Sequence, residues 1–91
     1  MPFVPDFTVT NRQGLFLAKN DKYGRNQLRC KWVRDRKDAE HFSRWIEADN
    51  WRMSLPFATQ DNASIVDQLG DTWTPYRAQA AGVFYSHSVQ K

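Results

Sequence analysis

Residues 27–33 read Gln-Leu-Arg-Cys-Lys-Trp-Val, and this stretch decides the fold because polar and apolar side chains alternate from Gln27 to Trp32. Leu28, Cys30 and Trp32 would lie on one face of an extended chain, and the charged side chains would lie on the other. Such alternation is typical of a strand with one buried face and one solvated face. The stretch therefore predicts a strand at residues 27–33, with one face directed inward and one exposed to water.

The preceding residues 7–18 predict a β-hairpin that supplies two more strands. Phe7 and Val9 alternate with threonines, and side chains of these types suit a pleated, half-buried surface. The run Asn11–Gly14 has turn-forming side chains, and an extended apolar run follows it. Residues 20–24 have the composition of a second turn, which would lead into the third strand.

Residues 36–50 predict the main helix. Asp35 is placed to cap it, because an aspartate oxygen can accept hydrogen bonds from the first free backbone N–H groups. Apolar residues at helical spacing would form one buried stripe, at Ala39, Phe42, Trp45 and Ile46. A break near Ser43, with a short turn before it and a second helix after it, is the alternative. We prefer one helix because no Pro or Gly interrupts the stretch.

The remaining residues predict short elements and complete an α+β domain. We expect a loop at 54–61, a helix at 63–69 closed by Gly70, a helix starting at Thr74-Pro75, and a strand at 83–89. The whole chain, residues 1–91, would form a single domain of the α+β class. In it, a small antiparallel sheet of three to four strands packs on one main helix, with one or two short extra helices.

Charge is distributed unevenly along the chain. Nine of the 13 basic residues lie between Arg12 and Lys37, where only Asp21 and Asp35 oppose them, so this segment carries a charge of +7. Residues 38–91 hold four basic and seven acidic residues and are therefore negative. A chain with this pattern predicts a molecule with a positive face and a negative face, and hence an electrostatic preference for its partners.

Several classes of protein fit this sequence poorly. The single cysteine, Cys30, cannot form a disulfide within the chain, and the amino terminus lacks the pattern of a signal peptide. No apolar run approaches the roughly 18 residues that a membrane span needs. We therefore expect a cytoplasmic protein that does not enter a membrane.

Catalysis and metal binding are not expected either. Cys30, His41 and His87 are the only sulfur or nitrogen ligands and are not paired at the spacings of a zinc site. A set of Cys30, His41 and Asp38 could be written as a catalytic group, but Cys30 shares the buried strand face and would be inert. Asp67 and Asp71 fall at helical spacing and are interpreted as a solvated helix end. We predict a protein that is not an enzyme and has no cofactor.

The basic segment predicts a binding role. The candidate partner-binding residues are Arg12, Lys22, Arg25, Arg29, Lys31 and Arg34, with Trp73 and Tyr76 as aromatic anchors. The first hypothesis is docking onto an acidic patch of an intracellular protein. The second is nucleic-acid binding by the same face. The third is a structural or assembly role as a homo-oligomer, and the sequence leaves both a monomer and a homodimer open. The competing interpretation is that these charges only keep a strand face soluble.

Four short runs add a family resemblance. They are Gly-Leu-Phe-Leu-Ala-Lys at 14–19, Lys-Trp-Val-Arg-Asp at 31–35, Ala-Glu-His-Phe at 39–42, and Glu47-Ala48. They resemble a pattern in small, mostly uncharacterised phage and mobile-element proteins, and the resemblance covers residues 7–50. It implies a ββ(β)α unit and a protein that modulates a host or defence complex in the host cytoplasm. It carries over no functional residue, and it does not extend to residues 54–91.

Overall fold

The computed structural model describes residues 4–19 and 30–85, and within them it contains four strands and three α-helices. The elements in chain order are β1 (Thr8–Thr10), β2 (Phe16–Lys19), β3 (Cys30–Val33), α1 (Trp45–Met53), α2 (Phe57–Gln60), β4 (Ser64–Val66) and α3 (Pro75–Ala80). The strands form one antiparallel sheet in the order β3-β2-β1-β4. The α+β class, the small antiparallel sheet and the single main helix are confirmed.

The predicted hairpin is present, and its turn is built by one side chain. Asn11 Oδ1 accepts hydrogen bonds from the backbone N–H groups of Gln13 and Leu15, both at 3.0 Å. Gly14 has φ +81°, a left-handed conformation that strains any residue with a Cβ atom. The chain then returns as β2, with Phe16 opposite Thr10. Turn chemistry that is local in sequence therefore sets the register of the hairpin.

One face of the sheet is buried under α1. Phe7, Val9, Leu17 and Ile65 form the strand side of the core and are almost fully buried. Helix α1 packs against β1 and β4 and contributes Trp45 and Ala48 to the same core. The described part of the predicted third strand, Cys30–Val33, is confirmed, and Cys30 and Trp32 pack against this core as expected. Residues 27–29 lie outside the described residues.

The prediction of one helix over residues 36–50 is wrong, and the alternative of a break near Ser43 describes the chain better. Asp35 Oδ1 does accept from Lys37 N at 3.1 Å, but it caps only a 3-10 turn, Arg36–Asp38. The chain is then extended, and Phe42 exchanges two backbone hydrogen bonds of 2.9 Å with Phe7. This long-range pairing satisfies backbone groups that a helix would have used locally, so it outweighs the helical spacing of the side chains.

Helix α1 begins at Trp45 because the end of the described chain supplies acceptors for its first donors. The N–H groups of Trp45 and Ile46 donate to the carbonyl oxygens of Val83 and Phe84, both at 3.0 Å. Phe84 also stacks on Trp45 with ring centroids 5.2 Å apart. Residues 83–85 are therefore not part of the predicted strand at 83–89, and residues 86–89 lie outside the described residues.

The predictions for residues 54–70 also need correction. The expected loop at 54–61 contains the short helix α2. The expected helix at 63–69 is instead β4, whose residues pair with β1 in the register Thr8↔Val66 and Val9↔Ile65. The physical reason is burial, because β4 places Ile65 in the core, next to the central strand. The predicted start of a helix at Thr74-Pro75 is confirmed, and Thr74 Oγ1 accepts from Arg77 N at 3.1 Å.

Candidate binding surface

The basic side chains that the structure describes divide into two groups, those with a partner among the described residues and those without one. Nine of the 13 basic residues lie in the described ranges. Five of them have an intramolecular partner. The pairs are Arg36 with Asp6 at 3.3 Å, Lys37 with Asp35 at 3.7 Å, Arg44 with Glu47, Arg52 with Asp49 at 2.9 Å, and Arg77 over the Trp73 ring at 3.9 Å.

The other four basic residues are exposed and have no carboxylate within 4.0 Å among the residues described. We call them the free-cation surface: Arg12, Lys19, Lys31 and Arg34. Sequence reasoning selected three of the four as site residues, and Lys19 was counted only as part of the basic segment. The other predicted basic site residues, Lys22, Arg25 and Arg29, lie outside the described residues.

Strand pairing places Lys19 and Lys31 at the β2–β3 end of the sheet, on opposite faces of it. Lys31 lies opposite Ala18, and Lys19 lies opposite Cys30, so both belong to the β2–β3 ladder. Arg34 directly follows β3 and lines a recess at the β1–β2 turn, the turn that also contains Arg12. Because β3 is the last described strand at this end of the sheet, Lys31 and Arg34 lie at an edge of the sheet.

The opposite side of the molecule contains the predicted aromatic anchors, and one of them needs correction. Trp73 is only 5% exposed, so it is a core residue and does not present its ring to a partner. Tyr76 is 85% exposed, and its role as an anchor stays a prediction. It lies on α3, which packs against α1 near β4, so the structure does not bring Tyr76 together with the free-cation surface.

The interpretation of Asp67 and Asp71 as a solvated helix end is wrong for Asp67. This residue is 1% exposed and follows β4 in a tight turn. Its carboxylate accepts hydrogen bonds from Leu69 N at 2.8 Å, Asp71 N at 3.0 Å and Trp73 Nε1 at 2.8 Å. Burial acts to raise the pKa of Asp67, but these hydrogen bonds and the nearby charge of Arg77 outweigh it, and the pKa lies below its ordinary value. Asp67 is therefore a structural acceptor.

The side chains of Cys30 and His41 have different surroundings. Burial raises the pKa of the Cys30 thiol, which favours the unreactive protonated form. His41 directs Nδ1 to the Asp6 carboxylate at 2.9 Å and Nε2 to the Arg36 carbonyl oxygen at 2.9 Å. Residues 4–19 and 30–85 contain no group of three or more His, Cys, Asp or Glu side chains that could hold a metal ion.

A groove of about 570 Å³ lies between α1, β4 and the start of α3. Its walls are mainly apolar and include Trp45, Met53, Ile65 and Phe84, while Asp49 and Arg52 on its rim neutralise each other. No helix in the described ranges combines the length and the apolar character that crossing a membrane requires.

Comparison of the chain with protein-family models, with curated proteins and with solved structures gives no match in any of the three cases.

Proposed function

We propose that this protein is a non-enzymatic binding protein that captures an acidic surface of a protein partner with its free-cation surface. One observation supports the proposal above all others. Each described basic residue outside this surface is matched by a carboxylate or a ring within the chain, while the four residues of the surface are exposed and have no carboxylate partner among the residues described. Charges that are neutralised internally attract little, whereas grouped unmatched cations steer an oppositely charged partner and orient it.

Apolar side chains beside Lys31 favour a protein partner. Phe16 and Val33 are opposite each other on β2 and β3, and both are only half-buried. They lie on the same face as Lys31, because side chains two positions apart on a strand point the same way. An interface with an apolar centre and a charged rim is typical of protein–protein contacts.

Nucleic-acid binding receives less support from the same surface. Proteins that bind single strands place aromatic rings beside the basic groove so that bases can stack on them. Among the residues described, the large exposed aromatic side chains are Phe57, Tyr76 and Tyr85, and none of them belongs to β2 or β3, where Phe16 and Trp32 are half-buried. The resemblance of residues 7–50 to phage and mobile-element proteins suggests that the protein partner belongs to a host or defence complex.

Affinity capture with charge-reversal variants tests this proposal. The tagged full chain is incubated with host lysate, with and without nuclease, as wild type, as Arg12→Glu/Lys31→Glu, and as the control Lys37→Glu/Arg44→Glu. The control reverses as many exposed charges, but at positions whose charges are matched within the chain. Circular dichroism establishes that all three proteins are folded.

We expect a protein that wild type and the control capture after nuclease treatment, and that Arg12→Glu/Lys31→Glu captures at least about tenfold less, because close charge pairs contribute more than 1.4 kcal/mol to an interface. Equal capture by all three proteins would contradict the proposal. Loss of capture on nuclease treatment would assign the surface to nucleic acid instead.

A further inference from the structure

The free-cation surface includes a concave position next to the turn between β1 and β2. A recess of about 410 Å³ is lined there by Gln13, Gly14, Leu15 and Arg34. Phe16 lies opposite Val33 in the β2–β3 ladder, so Arg34, the residue that follows β3, lies alongside the turn. The recess thus combines an apolar wall from half-buried Leu15 with an exposed guanidinium group that has no carboxylate beside it in the described structure.

The backbone N–H groups of the three turn residues that line the recess are not free to bind an anion. Asn11 Oδ1 accepts the N–H groups of Gln13 and Leu15, and the Asn11 carbonyl oxygen accepts the N–H group of Gly14 at 3.1 Å. The backbone N–H groups of Gln13, Gly14 and Leu15 are therefore all hydrogen-bonded within the turn. The donors left to face a ligand are side chains, namely the Arg34 guanidinium and the Gln13 amide.

We infer that Arg34 determines the specificity of the free-cation surface, by binding one Asp or Glu carboxylate of the protein partner in this recess. The inference rests on the proposed function and names the group that the surface recognises. A guanidinium group presents parallel N–H donors that match the two oxygens of a carboxylate, while Leu15 contacts the methylene carbons next to that carboxylate. Lysine offers a point charge without this fork, so it cannot replace arginine here.

The same donor inventory disfavours phosphate as the natural occupant. Compact phosphate sites commonly use several backbone N–H groups that converge on the oxygens, as in nests and at helix amino termini. In this turn Asn11 already occupies those groups. A single fork beside an apolar wall suits a carboxylate on an aliphatic stem better than a strongly hydrated phosphate.

NMR titration of the ¹⁵N-labelled full chain tests this inference directly. The probes are the blocked peptide acetyl-Ala-Glu-Ala-Glu-Ala-amide, its counterpart with Gln in place of Glu, and inorganic phosphate. The proteins are wild type, Arg34→Lys and the control Arg44→Lys, which alters an arginine that pairs with Glu47. The Arg34 Nε–H signal is identified by its absence from the spectrum of Arg34→Lys.

We expect the Glu peptide to shift the Arg34 Nε–H signal and the amide signals of Gln13 and Leu15 saturably, and the Gln peptide to leave them unchanged. Arg34→Lys should weaken binding of the Glu peptide by about fivefold or more, because the fork is lost while the charge is kept, and Arg44→Lys should not. Shifts spread evenly over Arg12, Lys31 and Arg34, or no shift up to the solubility limit of the peptide, would overturn the inference. Tighter binding of phosphate than of the Glu peptide would overturn the preference for carboxylate.

Failure of this inference and failure of the proposed function give different results. If Arg34→Lys binds the Glu peptide like wild type while Arg12→Glu/Lys31→Glu still loses the captured protein, the surface binds by diffuse charge and the recess has no special part. If Arg12→Glu/Lys31→Glu loses nothing, the proposed function itself is wrong.

Discussion

Replacing Asp67 with alanine should destabilise the protein strongly, although no residue of the free-cation surface is touched. The carboxylate is 1% exposed and holds three donors at 2.8, 3.0 and 2.8 Å. One of these donors, Trp73 Nε1, belongs to a core side chain and would be left without an acceptor, which costs about 1–3 kcal/mol. The other two are N–H groups of exposed turn residues, Leu69 and Asp71, which water can reach, so each should cost about 0.5 kcal/mol.

These contributions add up to a loss of about 3 kcal/mol in the free energy of unfolding. A domain of this size loses roughly 4–8 °C in Tm per kcal/mol, so Asp67→Ala should melt about 12–24 °C below wild type. Urea unfolding followed by tryptophan fluorescence gives the free energy, and circular dichroism gives the Tm. Asp71→Ala is the matched control, because its side chain is exposed, and it should change stability by less than about 0.5 kcal/mol.

The same carboxylate gives stability a defined dependence on pH. The pKa of Asp67 is lower in the folded protein than its ordinary value, so the unfolded chain binds the proton more readily. Its contribution is therefore complete above the unfolded pKa of about 3.9 and is lost as pH falls from there through the lower folded pKa. Asp67→Asn should lose stability at neutral pH and lack this part of the acid dependence. A loss below about 1 kcal/mol for Asp67→Ala would refute the reasoning about this buried acceptor.

Further substitutions test other parts of the fold by the same unfolding measurements. Gly14→Ala should lower the free energy of unfolding by about 1–2 kcal/mol, because φ at this position is +81°. A Cβ atom there would meet nothing within 4 Å, so the cost would come from the backbone alone, and an equally stable variant would show that the turn relaxes. Trp45→Phe removes the 2.8 Å hydrogen bond from Nε1 to the Trp73 carbonyl oxygen and should lower the free energy of unfolding by about 2 kcal/mol. An unchanged free energy of unfolding would show that this bond does not stabilise the fold. Tyr76→Ala should leave stability within about 0.5 kcal/mol of wild type, because the ring is 85% exposed; a larger loss would mean that it packs on the domain.

The sequence predicts those parts of the fold in which local chemistry and long-range packing agree. The hairpin follows from alternation in its strands and from turn-forming residues between them, and Asn11 and Gly14 have the expected roles. The alternation around Trp32 likewise predicts a strand that packs on the core. These features depend on neighbouring residues, so they can be read from a single sequence.

Elements decided by distant residues could not be predicted in this way. The side-chain spacing of residues 36–50 suits a helix, but Phe42 pairs with Phe7, a partner 35 positions away in the chain. Strand β4 has only the three residues Ser64–Val66, which is too short for a recognisable alternation, and its pairing with β1 is again long-range. The spacing of Asp67 and Asp71 suits the end of a helix, but the turn after β4 and the buried ring of Trp73 make Asp67 a buried acceptor instead.

The candidate surface shows the same division. The concentration of positive charge between Arg12 and Lys37 is evident from the sequence. The sequence does not show which of the described cations lack a carboxylate partner, because Arg36 pairs with Asp6, which lies 30 positions earlier in the chain. The recess beside Arg34 also depends on strand register, which brings the end of β3 next to the first turn.

The dependence of association rate on ionic strength tests the central claim most directly. The captured partner is immobilised, and its association rate with wild type, with Arg12→Glu/Lys31→Glu and with Lys37→Glu/Arg44→Glu is measured at rising salt concentration. If unmatched cations steer the encounter, the rates for wild type and the control fall steeply with salt, whereas the Arg12→Glu/Lys31→Glu rate is low and nearly independent of salt. A salt dependence that is the same for all three proteins would contradict the account.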